Sequence, residues 1–227
     1  MKENKLKTLV EIAIFAALGL ALDLLSAGIF RFAWPAGGSI GIAMVPVFII
    51  AYRRGLLAGL LCGLILSIVQ MLGGVYSINA SSFDNQFLKT TGQFLQISLD
   101  YVLAYTVCGF AGIFSKMYKN AESNKTKALA IILGCVLGGL LKYSCHVIAG
   151  GLFWLGNGKD SFWGVANNSW LYSFVYNGSY CIPNIIICTA LMVLIGLLYS
   201  QFLLPKKNKE TVLEENNEKV EVIKNEE

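Results

Sequence analysis

The sequence predicts an all-α integral membrane protein of six transmembrane helices with both termini in the cytoplasm. Three observations lead there. Hydrophobic residues fill 56% of the 227 positions and charged residues only 14%, with a mean hydropathy of +0.61, more apolar than a soluble domain sustains. Six windows are apolar enough to cross about 30 Å of hydrocarbon, which takes roughly 20 helical residues. Basic residues are also uneven between the two sides of such a bundle. Lys2, Lys5, Lys7, Arg53, Arg54, Lys116, Lys119, Lys125, Lys127, Lys206, Lys207 and Lys209 fall on one side, and Arg31, Lys89 and Lys159 on the other. Cytoplasmic loops collect Lys and Arg, so the first side is cytoplasmic.

The windows lie near 8–30, 38–52, 55–75, 91–114, 128–151 and 180–203. The first follows KENKLK and has the outline of a cleavable signal. It is too long for a signal's apolar region, holds Glu11 and Asp23, and lacks a small-residue cleavage site, so it reads as a span. Within it Ala13, Ala17 and Ala21 recur every four residues with Gly19 nearby, a small-residue stripe that lets helices approach closely in lipid. Such a stripe serves either packing within the bundle or contact with a partner. The second window contains Pro46, which is expected to bend it, and opens on Gly38 and Gly41, which predicts a short, irregular helix packed against its neighbours. The fourth enters from outside after Lys89 and places Asp100 and Tyr101 in its outer half. The fifth leaves the cytoplasm near Lys127, so Lys142, His146 and Trp154 lie progressively nearer the outer face. Trp34 occupies the first outer loop, and Tyr172 and Asn177 sit where the chain returns into the sixth window. These spans form one transmembrane domain, residues 1–205. The polar, mixed-charge stretch 206–227 is expected to be a solvated cytoplasmic tail whose first lysines rest on anionic headgroups.

Several function classes fall away. The net charge of +4 is accounted for by topology, leaving nothing that calls for nucleic acid. Cys62, Cys108, Cys135, Cys145 and Cys188 lie inside apolar windows and Cys181 at the mouth of one, where they act as small packing residues. With one histidine and no CxxC pair there is no metal-ligand spacing, and no cofactor is expected. The only Gly-Lys pair, Gly158-Lys159, is followed by Asp160, so there is no phosphate-binding loop. Uphill transport would therefore draw its energy from a partner.

The polar and aromatic residues converge by depth. Lys142 and His146 are four apart and share one helix face. Trp34, Asp100, Tyr101, Lys142, His146, Trp154, Tyr172 and Asn177 all fall in the outer half. Singly, Trp34, Trp154 and Tyr172 read as interfacial anchors and Asp100 with Lys142 as a structural ion pair. Jointly they outline a cavity with an acid, a base, an imidazole, an amide and four aromatics, suited to a flat, heteroaromatic, partly cationic ligand. An enzyme could use Lys142, His146 and Asp100 as acid and base, but no nucleophile accompanies them, since Cys145 is turned about 100° from His146 on its helix. A channel needs polar residues through both leaflets, and these stop in one.

The segments KYSCHVIAGGLFW and YSFVYNGSY, the LDY of the fourth window and the alanine-spaced first window resemble the thiamine-specific substrate-binding subunit, or S component, of energy-coupling factor transporters. The resemblance spans all six windows. It implies the six-helix S-component fold, a plasma-membrane location in a prokaryotic cell, high-affinity capture of thiamine from outside, and docking onto a transmembrane coupling subunit with two ATP-binding-cassette ATPases. Another vitamin within the same class is the nearest alternative. By this resemblance Trp34, Tyr101, Lys142, His146, Trp154, Tyr172 and Asn177 match ligand-pocket positions, and Asp100 stands where the family pattern has Glu. Ala13, Ala17 and Ala21 match the AxxxA docking pattern. Thiamine's thiazolium cation suits a sandwich of Trp154 and His146 with Asp100 offsetting its charge. Trp34 and Tyr172 are expected to stack on the other ring, with the Asn177 amide on the aminopyrimidine edge. Lys142 would repel the cation and is assigned to the hydroxyethyl end or to a salt bridge with Asp100 or Asp23.

Overall fold

A computed structural model describes residues 5–30, 33–34, 37–79, 83–155 and 161–204. The tail 206–227, Lys2, Arg31 and the Gly158-Lys159 pair lie outside these. Six helices form the bundle: α1 Lys5–Phe30, α2 Met44–Arg54, α3 Leu56–Leu72, α4 Gln86–Lys119, α5 Asn124–Trp154 and α6 Trp170–Leu198. Two strands, β1 Ser161–Phe162 and β2 Val165–Ala166, make a small antiparallel hairpin between α5 and α6.

Four of the helices, α1, α4, α5 and α6, are long and apolar enough to cross a membrane. In α1 and α6 apolar residues run around the whole circumference, as expected of helices solvated by lipid. In α1 only the stripe Ile12, Ala16, Gly19 and Ser26 is buried. Ala13, Ala17 and Ala21 face outward, so the alternative of packing within the bundle is set aside for them. The second predicted window is not a spanning helix. Residues 37–43 are irregular, and α2 has only 11 residues, about 16 Å of rise, with Met44 through Tyr52 all buried among the other helices. Pro46 does not bend α2. It sits in the first turn, where its missing N–H would have had no partner. The irregular stretch keeps its backbone satisfied through α6, because Asn184 accepts from the Gly41 N–H (2.7 Å) and donates to the Ser39 carbonyl (2.9 Å).

One residue, Gly55, joins α2 to α3, and its φ of +91° is open to glycine with little strain. The paired guanidiniums just before it are not loop charges in water. Glu11 accepts from Arg53 Nε (3.0 Å) and Arg54 Nε (2.7 Å), while Arg53 Nη1 donates to the carbonyls of Gln201 (2.9 Å) and Leu204 (2.7 Å). This clasp ties α1, the α2 terminus and the chain just after α6 together. Along α3 and α4 the contact is backbone on backbone. A Cβ on Gly59 would lie 3.0 Å from the Gly109 Cα, one on Gly112 2.7 Å from the Leu56 Cα, and one on Gly63 would run into the Tyr105 carbonyl.

Two helices depart from α geometry. Within α4, Ser98–Leu103 is π-helical and Val107–Phe114 is 3₁₀. In α5 the last turn, Gly150–Trp154, is again π. Such wide turns appear mostly as isolated insertions, often at functional sites. Finally, α6 begins ten residues before its predicted start at 180, with Ser169 capping its first turn by accepting from the Tyr172 N–H. Tyr172 and Asn177 are thus buried helical residues, not residues of a loop mouth.

Candidate functional site

At the end of the bundle remote from the Glu11 clasp is a cavity of about 310 Å³, within the usual size of small-molecule sites. Its wall takes residues from α1, the 37–43 stretch, α2, α3 and its sequel, the π turn of α4, the end of α5 and the first half of α6. Seven of the eight sequence-chosen residues line it: Asp100, Tyr101, Lys142, His146, Trp154, Tyr172 and Asn177.

Asp100 is the organising group. One oxygen accepts from Trp154 Nε1 (2.9 Å) and Gln96 Nε2 (2.8 Å), and the other lies 3.1 Å from His146 Nδ1. Both π turns serve this arrangement, since one carries Asp100 and the other Trp154. An imidazole and an indole are thereby oriented by one carboxylate. The neighbouring Tyr101 hydroxyl accepts from the Tyr76 N–H (2.6 Å) and so ties the chain beyond α3 to the same π turn.

A second carboxylate, Asp23, lines the cavity from α1. It accepts from the Tyr105 hydroxyl and from Gln70 Nε2, each at 2.6 Å. Lys142 makes neither expected salt bridge. Its ammonium lies 3.3 Å from the centroid of the Tyr105 ring, the ring whose hydroxyl donates to Asp23. The electron-rich ring face shelters a cation that is 7% exposed. Two carboxylates against one ammonium give this wall a formal excess of one negative charge, the complement of a monocation.

Trp34 is not on the wall. Its indole donates to Ser179 Oγ (2.7 Å) and meets Tyr180 edge-on (6.0 Å), and Tyr180 in turn meets His146 edge-on (5.9 Å). Trp34 therefore backs the residue that backs the imidazole. Asn177 faces the cavity with an amide that the protein already uses. Its Nδ2 is within bonding distance of the carbonyls of His146 (3.2 Å) and Ser173 (2.9 Å), and its Oδ1 accepts from the Tyr180 hydroxyl (2.6 Å).

Several lining residues escaped sequence reasoning. Tyr176, Tyr180 and Asn184 continue from the expected Tyr172 at every fourth position on α6, a one-face signal present in the sequence, and all three line the cavity beside it. Gln70 and Tyr105 were findable as polar groups at membrane depth. Asn167, in the loop after β2, follows no period.

The thiamine transporter protein family (Thia_YuaJ) matches residues 9–204, the whole bundle. The chain belongs to the thiamine transporter family. Among its relatives, "Thiamine transporter ThiT" of Bacillus subtilis (strain 168) is 34% identical over 197 residues, covering 86% of this chain and 92% of that protein. "Thiamine transporter ThiT" of Lacticaseibacillus paracasei is 27% identical over 209 residues, covering 87% and 90%. A solved structure of ThiT from Listeria monocytogenes superposes with a TM-score of 0.69 at 27% identity, over 89% of this chain and all of that one. Membership in the thiamine transporter family bears out the resemblance read from the sequence, and it makes this an integral membrane protein of transport rather than an enzyme.

Proposed function

We propose that this chain is the high-affinity thiamine-binding subunit of an energy-coupling factor uptake system in the plasma membrane of a prokaryotic cell. Both termini are cytoplasmic and the cavity opens outward, in line with the Lys and Arg asymmetry. The observation that carries the reading is the Asp100 carboxylate bound to the edges of both His146 and Trp154 beside an open cavity. That arrangement offers a cationic aromatic ring two aromatic partners and a counter-charge already in position, so little ordering remains to be done on binding. The thiazolium lies against His146, Trp154 and Asp100. The hydroxyethyl end points to Lys142, whose charge is drawn toward Tyr105 and Asp23 and away from the thiazolium. Tyr172 supports the pyrimidine, while Trp34 acts from behind by holding Tyr180.

Delivery requires a partner. The outward-facing Ala13, Ala17 and Ala21 form the docking face for the transmembrane coupling subunit, and the two ATPases of that assembly supply the energy. The chain itself needs no cofactor, and the tail 206–227 stays in the cytoplasm beyond the membrane domain. Titrating thiamine into the purified chain in detergent should quench tryptophan fluorescence, while riboflavin and biotin leave it unchanged. A folded sample silent to thiamine would overturn the assignment.

A further inference from the structure

A carboxylate inside a membrane span is costly unless it serves a partner or a cavity. Asp23 is such a group on α1, half-buried, and it lines the cavity together with Leu24 and Ala27 of the same helix. Both of its described partners are neutral donors, the Tyr105 hydroxyl on one oxygen and Gln70 Nε2 on the other, each at 2.6 Å. The salt bridges among the described residues engage other acids, so none of them neutralises it. An ionised carboxylate offers about four lone-pair directions and no proton. Two are taken, which leaves Asp23 able to accept from a molecule in the cavity. The ammonium that shares this corner stands off. Lys142 rests on the face of the same Tyr105 ring, 3.3 Å from its centroid, so acid and base flank one phenol without forming a pair.

We infer that Asp23 receives the alcohol of the ligand's hydroxyethyl arm and excludes ligands in which that alcohol is phosphorylated. The inference rests on thiamine being the ligand, with its thiazolium at Asp100 and its arm toward Lys142. The arm then ends in the corner shared by Asp23, Tyr105 and Lys142. A free alcohol has the proton that the carboxylate lacks, and a hydrogen bond to a charged acceptor is among the stronger ones. A phosphate ester has lost that proton and carries about −1.5 to −2 charge at pH 7. Lys142 alone would welcome such an anion. Asp23 opposes that attraction, because like charges in a poorly screened cavity repel as strongly as opposite ones attract. Asp100 is not suited to this task, since its oxygens are engaged with Trp154, Gln96 and His146. The corner on α1 therefore reads the arm by charge, separately from the groups that hold the rings.

The test compares three ligands on the purified full chain: thiamine, thiamine monophosphate, and an analogue whose hydroxyethyl arm is replaced by ethyl. The wild type should prefer thiamine to the monophosphate. In Asp23→Asn, thiamine affinity should fall roughly 10- to 100-fold, the usual loss for a buried hydrogen bond to a charged group. Monophosphate affinity should instead rise by about tenfold or more, because Lys142 is left unopposed. The ethyl analogue has no proton to give, so it should lose distinctly less than thiamine, and its binding reports an intact cavity. Asp23→Ser removes the same charge with a smaller side chain and should show the same reversal. If the wild type binds no thiamine, the thiamine reading falls and this inference with it. Where the wild type binds thiamine, the inference alone is overturned by equal wild-type affinity for the monophosphate, by an Asp23→Asn that binds the monophosphate no tighter, or by equal losses of thiamine and the ethyl analogue. Loss of all three ligands from both variants would make Asp23 a structural residue and overturn it too.

Discussion

Asp100 takes two donors on one oxygen and faces His146 with the other, so its carboxylate fixes Trp154, Gln96 and the imidazole together. Asparagine in its place keeps the shape, loses the charge, and turns an NH₂ toward groups that need an acceptor. Asp100→Asn should therefore weaken thiamine by more than it weakens a neutral isostere of thiamine, because only the cation also loses Coulomb attraction. Isothermal titration of both ligands measures this, and equal losses would confine Asp100 to holding the rings. The π turn that carries Asp100 brings its carboxylate to the rings of α5.

Elements were legible where lipid or core alone sets the pattern. The predicted windows 55–75 and 128–151 overlap α3 and α5 closely, because apolar runs report burial in hydrocarbon directly. The start of α6 was misplaced because its first turns line a polar cavity, and Tyr, Ser and Asn there resemble a loop in any hydropathy reading. Most of the cavity residues were legible as polar groups in an apolar context. Their mutual contacts were not, since SLDYVL and GGLFW carry no mark that distinguishes a π turn from an α turn. A π turn is one residue longer than the α turn it replaces, so deleting Leu99 should convert Ser98–Leu103 to α-helix and turn Asp100 by about 100° relative to the rest of α4. The variant should insert with its helical circular dichroism intact and lose thiamine binding. Retained binding would mean that the wide turn does not set the carboxylate's direction.

At the scale of the whole molecule, the proposed docking positions Ala13 and Ala17 lie on α1 toward the end away from the cavity. Replacing both Ala13 and Ala17 with Trp should leave thiamine titration of the isolated chain unchanged and abolish ATP-driven uptake when partner subunits are co-expressed, because bulk there blocks close helix approach. Normal uptake would refute the docking role, and loss of binding would show that the stripe matters to the fold. The clasp at that end joins α1 to α2 through Glu11, and Arg53 carries it on to the chain just after α6. Glu11→Gln would leave Arg53 and Arg54, largely buried, without a counter-charge, and should lower unfolding stability in detergent by about 2–4 kcal/mol, nearer a buried pair than a surface one. A drop under about 1 kcal/mol would mark the clasp as solvated.

The glycine seam between α3 and α4 has a different kind of consequence. Gly63 abuts the carbonyl of Tyr105, the residue whose hydroxyl serves Asp23 and whose ring shelters Lys142. One methyl group at position 63 has nowhere to go except against that backbone, and any yielding shifts the phenol and both charges that depend on it. To a geneticist selecting for lost vitamin uptake, Gly63 would then score as a binding residue although it touches no part of the cavity. A map of inactivating alleles drawn on this chain would trace the seam as faithfully as the pocket.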